Sequence, residues 1–99
     1  MARFDAYRNK AGKGLLLDCQ ADLLSGLETR LVVPLLLPPD APIPARHLNP
    51  SFEIGGERYV MVTQYAAAME VRELGAKVAP LAEHDHTIMN ALDFLLTGV

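Results

Sequence analysis

A pair of adjacent glycines between two apolar, alternating segments constrains this chain more than any other feature. In SFEIGGERYVMV, Phe52 and Ile54 precede Gly55-Gly56, and Tyr59 and Met61 follow at the same two-residue spacing. A two-residue loop of the primed type needs a positive φ at its central residues, which glycine adopts without steric cost. The segment therefore predicts an antiparallel hairpin and a fold built on β-structure.

The period of the pattern changes after Pro80. Leu81, Ile88, Leu92 and Leu95 recur at helical spacing, and Glu83 and Asp85 lie where a negative charge favours the start of a helix. We expect one C-terminal helix of about fifteen residues, packed on the sheet through that apolar face.

The rest of the chain predicts further strands. The segment ARFDAYRN alternates, the glycine and lysine residues of NKAGKG indicate a turn, and LLLDCQAD is typical of a strand covered on both faces. Pro34 interrupts RLVVPLLL, which predicts an edge strand, a bulge, or a strand whose Pro34 nitrogen faces away from its partner. Short strands are also expected in AAAMEVRELGAKVAP. Five prolines among residues 38–50 favour a stiff surface loop.

Composition limits the classes of protein to consider. Ninety-nine residues, 51% of them hydrophobic and 21% charged, fit one globular domain over residues 1–99. A net charge of −3 and scattered basic residues argue against a general binder of nucleic-acid backbones. The single Cys19 suits a buried strand position, and no segment has the length of a signal peptide or a membrane span, which together predict a cytoplasmic protein without membrane contact.

No catalytic constellation stands out. The cluster EHDH (83–86) invites a metal-site interpretation with His47 as a third ligand, but His84 and His86 would point to different sides of a helix, so a solvated helix start is favoured. The chain has no nucleophile elbow, no phosphate-binding glycine loop and no paired CxxC motif. An acid–base ribonuclease built from Arg30, Arg46, His47 or Glu28 stays possible in principle. We therefore predict no cofactor, no metal and no catalytic residue.

Exposed apolar residues are the more unusual feature. Leu23 and Leu24 lie beside a turn, and the chain closes on FLLTGV without a charge after Asp93. If both groups face solvent they form the kind of patch that marks an interface. The alternative is that the final helix packs along its whole length.

Taken together, these segments resemble the CcdB family of toxins over essentially the whole chain. The resemblance depends on Asp18-x-Gln20-x-Asp22 followed by Leu23-Leu24, on RLVVPL, and on the Asn90-Ala91-Leu92 helix that ends in Gly98-Val99. It implies a mainly β protein, a small SH3-like antiparallel barrel with a C-terminal α-helix, and a homodimer in which the helix ends meet.

The same resemblance implies the toxin of a type II toxin–antitoxin module that is not an enzyme. Such a toxin binds the A subunit of DNA gyrase through its C-terminal tip and traps the cleaved-DNA complex. A cognate antitoxin neutralises it and helps to repress the operon, so operator DNA is reached only through that complex. The target-contact positions implied here are Leu23, Leu24, Asp93, Leu96, Thr97, Gly98 and Val99, and those of the dimer are Leu92, Leu95, Leu96 and Val99.

Three of these positions differ from the pattern of well-characterised active members. Leu96 and Thr97 stand where phenylalanine and tryptophan are found, and Asp93 stands in place of an asparagine. Two alternatives therefore remain open: a ribosome-independent mRNA endonuclease of the same barrel fold, and a homologue that no longer poisons gyrase.

Overall fold

The computed structural model describes residues 2–98 and consists of seven antiparallel strands and one helix. The strands are β1 (Asp5–Asn9), β2 (Leu15–Asp18), β3 (Thr29–Leu36), β4 (Ser51–Ile54), β5 (Glu57–Met61), β6 (Ala67–Glu70) and β7 (Leu74–Pro80); the helix is α1 (Asp85–Thr97). They form a curled sheet in the order β4-β5-β3-β2-β1-β7, with β6 also paired to β3. The predicted small β+α barrel fold is confirmed.

The predicted hairpin is confirmed at the residue level. Strands β4 and β5 pair with Ile54 opposite Glu57, and the two glycines between them have φ values of 61° and 84°. Strand β2 is buried at every position, as expected for a strand covered on both faces. The segment after residue 66 forms β6 and β7, which confirms the expectation of short strands.

Pro34 lies inside β3, which is a central strand, so the edge-strand interpretation is wrong. One side of β3 pairs with β2, and the other side changes partner along its length. Residues 29–32 pair with β6, and residues 35–36 pair with β5. Pro34 falls between them, where its carbonyl accepts a hydrogen bond from the Val62 N–H at 2.9 Å. The missing proline N–H therefore falls at the gap between two partner strands and breaks no ladder hydrogen bond.

The helix is shorter than expected because the chain first makes a tighter turn. Ala82–His84 form a 3₁₀ turn, in which the His84 N–H donates to the Leu81 carbonyl at 2.9 Å, and α1 begins at Asp85 with thirteen residues. Leu81, Ile88, Ala91 and Leu92 are buried against the sheet together with Phe4, Leu17 and Met61. No helix in the described part of the chain is long and apolar enough to cross a membrane.

Candidate functional site

The segment between β2 and β3 presents the predicted pair of leucines to solvent. Asp22–Leu24 form a 3₁₀ turn in which Leu23 is 94% exposed and Leu24 is 47% exposed. Leu27, three residues on, is also exposed. Apolar side chains grouped on a turn in this way are typical of an interaction surface.

Gln20 fixes this turn through four hydrogen bonds. Its side-chain N–H groups donate to the carbonyls of Leu24 at 3.1 Å and Thr29 at 3.0 Å, and its side-chain oxygen accepts from the Leu31 N–H at 3.0 Å. Its backbone N–H donates to the Asp18 carboxylate at 3.1 Å. The Gln20 side chain thus bonds backbone groups of β3 where β2 no longer pairs with it, and it joins both ends of the turn.

A buried ion pair lies beneath that turn. The Arg30 guanidinium donates through Nε to both carboxylate oxygens of Asp18 at 3.1 Å and through a second nitrogen to one of them, and both side chains are fully buried. Nη1 of Arg30 is buried without a hydrogen-bond partner among residues 2–98. A buried pair of this kind tolerates the loss of neither partner, because the remaining charge would stay desolvated.

The end of α1 forms a second exposed apolar group. Leu96 is 78% exposed and Leu95 39% exposed, whereas Leu92 is buried in the core of the same chain. The helix closes on Gly98 at φ 76°, whose N–H donates to the Phe94 carbonyl at 2.9 Å. The Thr97 hydroxyl donates to the Asp93 carbonyl at 2.7 Å, so it faces back along its own helix.

These placements bear on each predicted contact residue. Leu23, Leu24, Asp93, Leu96, Thr97 and Gly98 are all exposed, so their assignment to a target surface stays a prediction that the geometry permits. Leu95 and Leu96 are accessible to a second subunit, while Leu92 has little surface left to offer one. Val99, assigned to both surfaces, lies outside the described residues.

The four residues considered for a ribonuclease separate into different environments. Arg30 is buried in its ion pair, and Glu28 lies beside Glu70 and Arg72 at the junction of β3 and β6. Arg46 and His47 are exposed on the proline-rich loop, next to one face of α1. Only these last two lie together.

Two other side chains with potential chemistry belong to the structural framework. Cys19 is buried, and burial together with the negative charge of Asp18 raises the pKa of its thiol to about 12, so it is not a nucleophile at neutral pH. His84 packs against Phe52, with ring centroids 5.0 Å apart. Within residues 2–98, no three His, Cys, Asp or Glu side chains converge as metal ligands would.

Comparison with known proteins identifies a family and a fold. The family model described as CcdB protein matches residues 3–98. A solved structure of an endoribonuclease in complex with its cognate antitoxin, from a mycobacterial species, is similar with a TM-score of 0.79 and 15% sequence identity. The alignment covers 97% of this chain and 94% of the endoribonuclease chain. At that identity the similarity establishes the shared fold.

That neighbour corrects one prediction. The expectation that the protein is not an enzyme is contradicted, because a chain of this fold acts as an endoribonuclease. The expectation depended on the lack of a recognised catalytic motif and on the family resemblance. A ribonuclease needs no fixed spacing of its acid, base and cationic groups along the chain, so the lack of a motif could not exclude one.

Proposed function

The chain belongs to the CcdB family of toxins, and we propose that it is the toxin of a toxin–antitoxin module and acts on the A subunit of DNA gyrase. The observation that carries this proposal is the exposure of Leu23 and Leu96 at 94% and 78%. Both occupy positions that the family resemblance assigns to the target surface. Large apolar side chains so exposed gain most when a partner removes them from water.

In this proposal the toxin is a homodimer, which brings two copies of each apolar group to one assembly. The accessible leucines at the end of α1, Leu95 and Leu96, support this arrangement. A cognate antitoxin binds the toxin, and the structural neighbour is likewise in complex with its cognate antitoxin. The toxin–antitoxin complex is the species that reaches operator DNA. The antitoxin would protect a cytoplasmic target by competing for the exposed leucines.

The test is a cleavage-complex assay with purified protein, gyrase, circular DNA and ATP. We expect linear DNA to accumulate after denaturation of the complex. Leu96→Ala and Leu23→Ala should each weaken this effect about tenfold, which corresponds to roughly 1.4 kcal/mol. Ile43→Ala is the matched control, because Ile43 is 93% exposed but lies on the proline-rich loop. Unchanged potency of both leucine variants would contradict the proposed surface.

A second candidate function is endoribonuclease activity, and the loop that carries Arg46 and His47 favours it. Both side chains are exposed next to each other, and the fold is shared with an endoribonuclease. An imidazole can transfer the proton of a ribose hydroxyl near neutral pH, and a guanidinium can neutralise a phosphodiester. Arg30 and Glu28 do not join this pair, since one is buried and the other lies beside β6.

Incubation with single-stranded RNA in the absence of gyrase tests this second candidate. Fragments that disappear in the His47→Asn variant would support it, because asparagine also tolerates the positive φ of 68° at this position. RNA fragments without trapped gyrase would replace the first proposal by the second. Trapped gyrase with intact RNA would support the first proposal and exclude the second.

A further inference from the structure

A groove separates the proline-rich loop from one face of α1. One part has a volume of about 400 Å³ and is lined by Arg46, His47, Thr87 and Asn90 together with Pro44, Ala45, Asn49 and Pro50. A neighbouring part of about 330 Å³ is lined by His47, Asn90, Asp93 and Phe94. Because His47 and Asn90 border both parts, the two form one continuous groove, of the size that small-molecule sites commonly have.

The loop side of this groove is held rigidly from below. Asn49 is buried, and its side chain donates to the Met61 carbonyl at 3.0 Å and to the Gln64 side chain at 2.8 Å. Its oxygen accepts from the Ala45 N–H at 2.9 Å, and the buried Thr63 hydroxyl donates to the Leu48 carbonyl. These bonds secure the loop on both sides of Arg46 and His47, so a ligand would not have to order them.

His47 is further constrained by its backbone and by its neighbour. Its φ of 68° lies in the left-handed region, which is uncommon for a residue other than glycine and concentrates at functional positions. Its ring lies 6.1 Å from that of Phe94, at an interplanar angle of 57°. Both residues line the smaller part of the groove, where they form an aromatic wall.

The polar side chains of the groove have no partners within the described chain. Arg46, His47, Thr87, Asn90 and Asp93 form no side-chain hydrogen bond or ion pair among residues 2–98. Elsewhere on the surface, Lys13 pairs with Asp40 and Arg72 with Glu70. A cation, a carboxylate, an amide and a hydroxyl are thus left free around one aromatic wall.

We propose that this groove binds one nucleotide, free or within single-stranded RNA. Arg46 would contact the phosphate, the base would pack on the His47–Phe94 wall, and Asn90 and Asp93 would hydrogen-bond its edge. Single-stranded RNA is recognised through this combination of stacking, edge contacts and a cation at the backbone. Asp93 accepts hydrogen bonds only, and guanine alone among the four bases presents two adjacent N–H donors on one edge, which favours guanine.

This inference deepens the second candidate function, and it rests on that function for the identification of RNA as the physiological source. Binding and cleavage are separable by experiment. If nucleotides bind but RNA stays intact, the endoribonuclease proposal fails while the groove stands. If RNA is cleaved at an equal rate by groove variants that no longer bind nucleotides, the cleavage site lies elsewhere while the groove stands as a binding site.

The experiment is calorimetric or NMR titration of the protein with GMP, CMP, AMP and UMP, and with a short single-stranded RNA. We expect GMP to bind best, and Arg46→Gln and His47→Asn each to weaken binding about tenfold. Arg58→Gln is the matched control, because Arg58 is an exposed arginine on the β4–β5 hairpin. Stronger binding of the RNA than of any mononucleotide identifies RNA as the source; equal binding identifies a free nucleotide.

Three results would overturn the proposal. The first is no binding of any mononucleotide or of the RNA. The second is binding that Arg58→Gln reduces as much as Arg46→Gln does, and the third is binding that inorganic phosphate reproduces with equal affinity. Either of the last two would show a general anion effect. The thermal unfolding of each variant must match that of the wild type. If His47→Asn unfolds, the exposed Asn90 on the α1 side of the groove can be replaced by alanine instead.

Discussion

The two exposed apolar groups of this protein are fixed in opposite ways. The turn that carries Leu23 and Leu24 depends on Gln20 and, beneath it, on a buried ion pair from two neighbouring strands. At the end of α1, which carries Leu96, the hydrogen bonds among residues 2–98 all lie within the helix itself. Two exposed apolar groups can therefore differ in their dependence on the rest of the chain: the turn should be sensitive to residues outside it, and the end of α1 should not be.

Asp18→Asn, in the ion pair beneath the turn, should have the largest effect on stability. The change leaves the Arg30 guanidinium buried without a counter-charge, and we expect the free energy of unfolding to fall by about 3–5 kcal/mol. Urea unfolding measures the loss. The double variant Asp18→Leu/Arg30→Met is the control, since replacing both charges by apolar side chains is often close to neutral. A single variant as stable as the wild type would contradict the importance of the pair.

The next largest effect should come from Gln20→Met. Three side-chain hydrogen bonds are lost, and we expect a destabilisation of about 1–3 kcal/mol, because the backbone groups they serve are partly exposed to water. Amide exchange of Leu31 should accelerate strongly while that of Gly98 stays unchanged. Gln20→Glu, which retains the acceptor for Leu31 and loses both donors, should protect Leu31 while still loosening the turn. Equal acceleration at Gly98 would show that the two regions are not independent.

These dependencies mark the limit of what the sequence predicts. The β4–β5 hairpin follows from two glycines, and the core face of α1 follows from the spacing of Ile88 and Leu92, because both patterns are local. The contacts of Gln20 with Leu24, Thr29 and Leu31 depend on the register between β2 and β3, which cannot be predicted from any single residue. The resemblance to the family marked Gln20 as characteristic without giving its physical role.

The groove beside α1 could not be predicted for the same reason. The prolines of residues 38–50 indicate a stiff loop, but its place against the helix is set by Asn49 and Thr63, whose partners are distant in sequence. His47 attracted attention only as a candidate ligand or base. The signal that was available, an exposed Arg46-His47 pair between prolines, becomes informative only once Phe94 and Asn90 are seen opposite it.

Replacing one glycine in each region by alanine should change stability by a smaller amount, and differently in the two regions. A Cβ at Gly98 meets nothing within 4 Å, but the φ of 76° makes an alanine there strained, and we expect a loss of about 1 kcal/mol. Gly26 in the turn also has open space and no such φ. Gly26→Ala should therefore be neutral or slightly stabilising. Melting temperatures of the two variants test this, and equal loss in both would show that the turn, too, depends on glycine.

The smallest effect on stability should come from the exposed leucines themselves. Leu23→Ala and Leu96→Ala remove side chains that make few contacts within the chain, so each should change the free energy of unfolding by less than about 0.5 kcal/mol. Leu92→Ala is the matched control on the same helix, because its side chain is buried and its loss should cost about 2–5 kcal/mol. Urea unfolding of the three variants gives the comparison.

The exposed leucines should have a small effect on stability and a large effect on target binding. If Leu23→Ala and Leu96→Ala leave stability intact while weakening the capture of cleaved DNA, their loss acts on the target and not on the fold. The double variant Leu23→Ala/Gln20→Met tests whether the turn contributes to potency only through Leu23. The two losses of potency should not add, because Gln20 serves to hold that side chain in place. The corresponding pair of Leu96→Ala with Gln20→Met should add, because nothing in the described chain ties the end of α1 to Gln20.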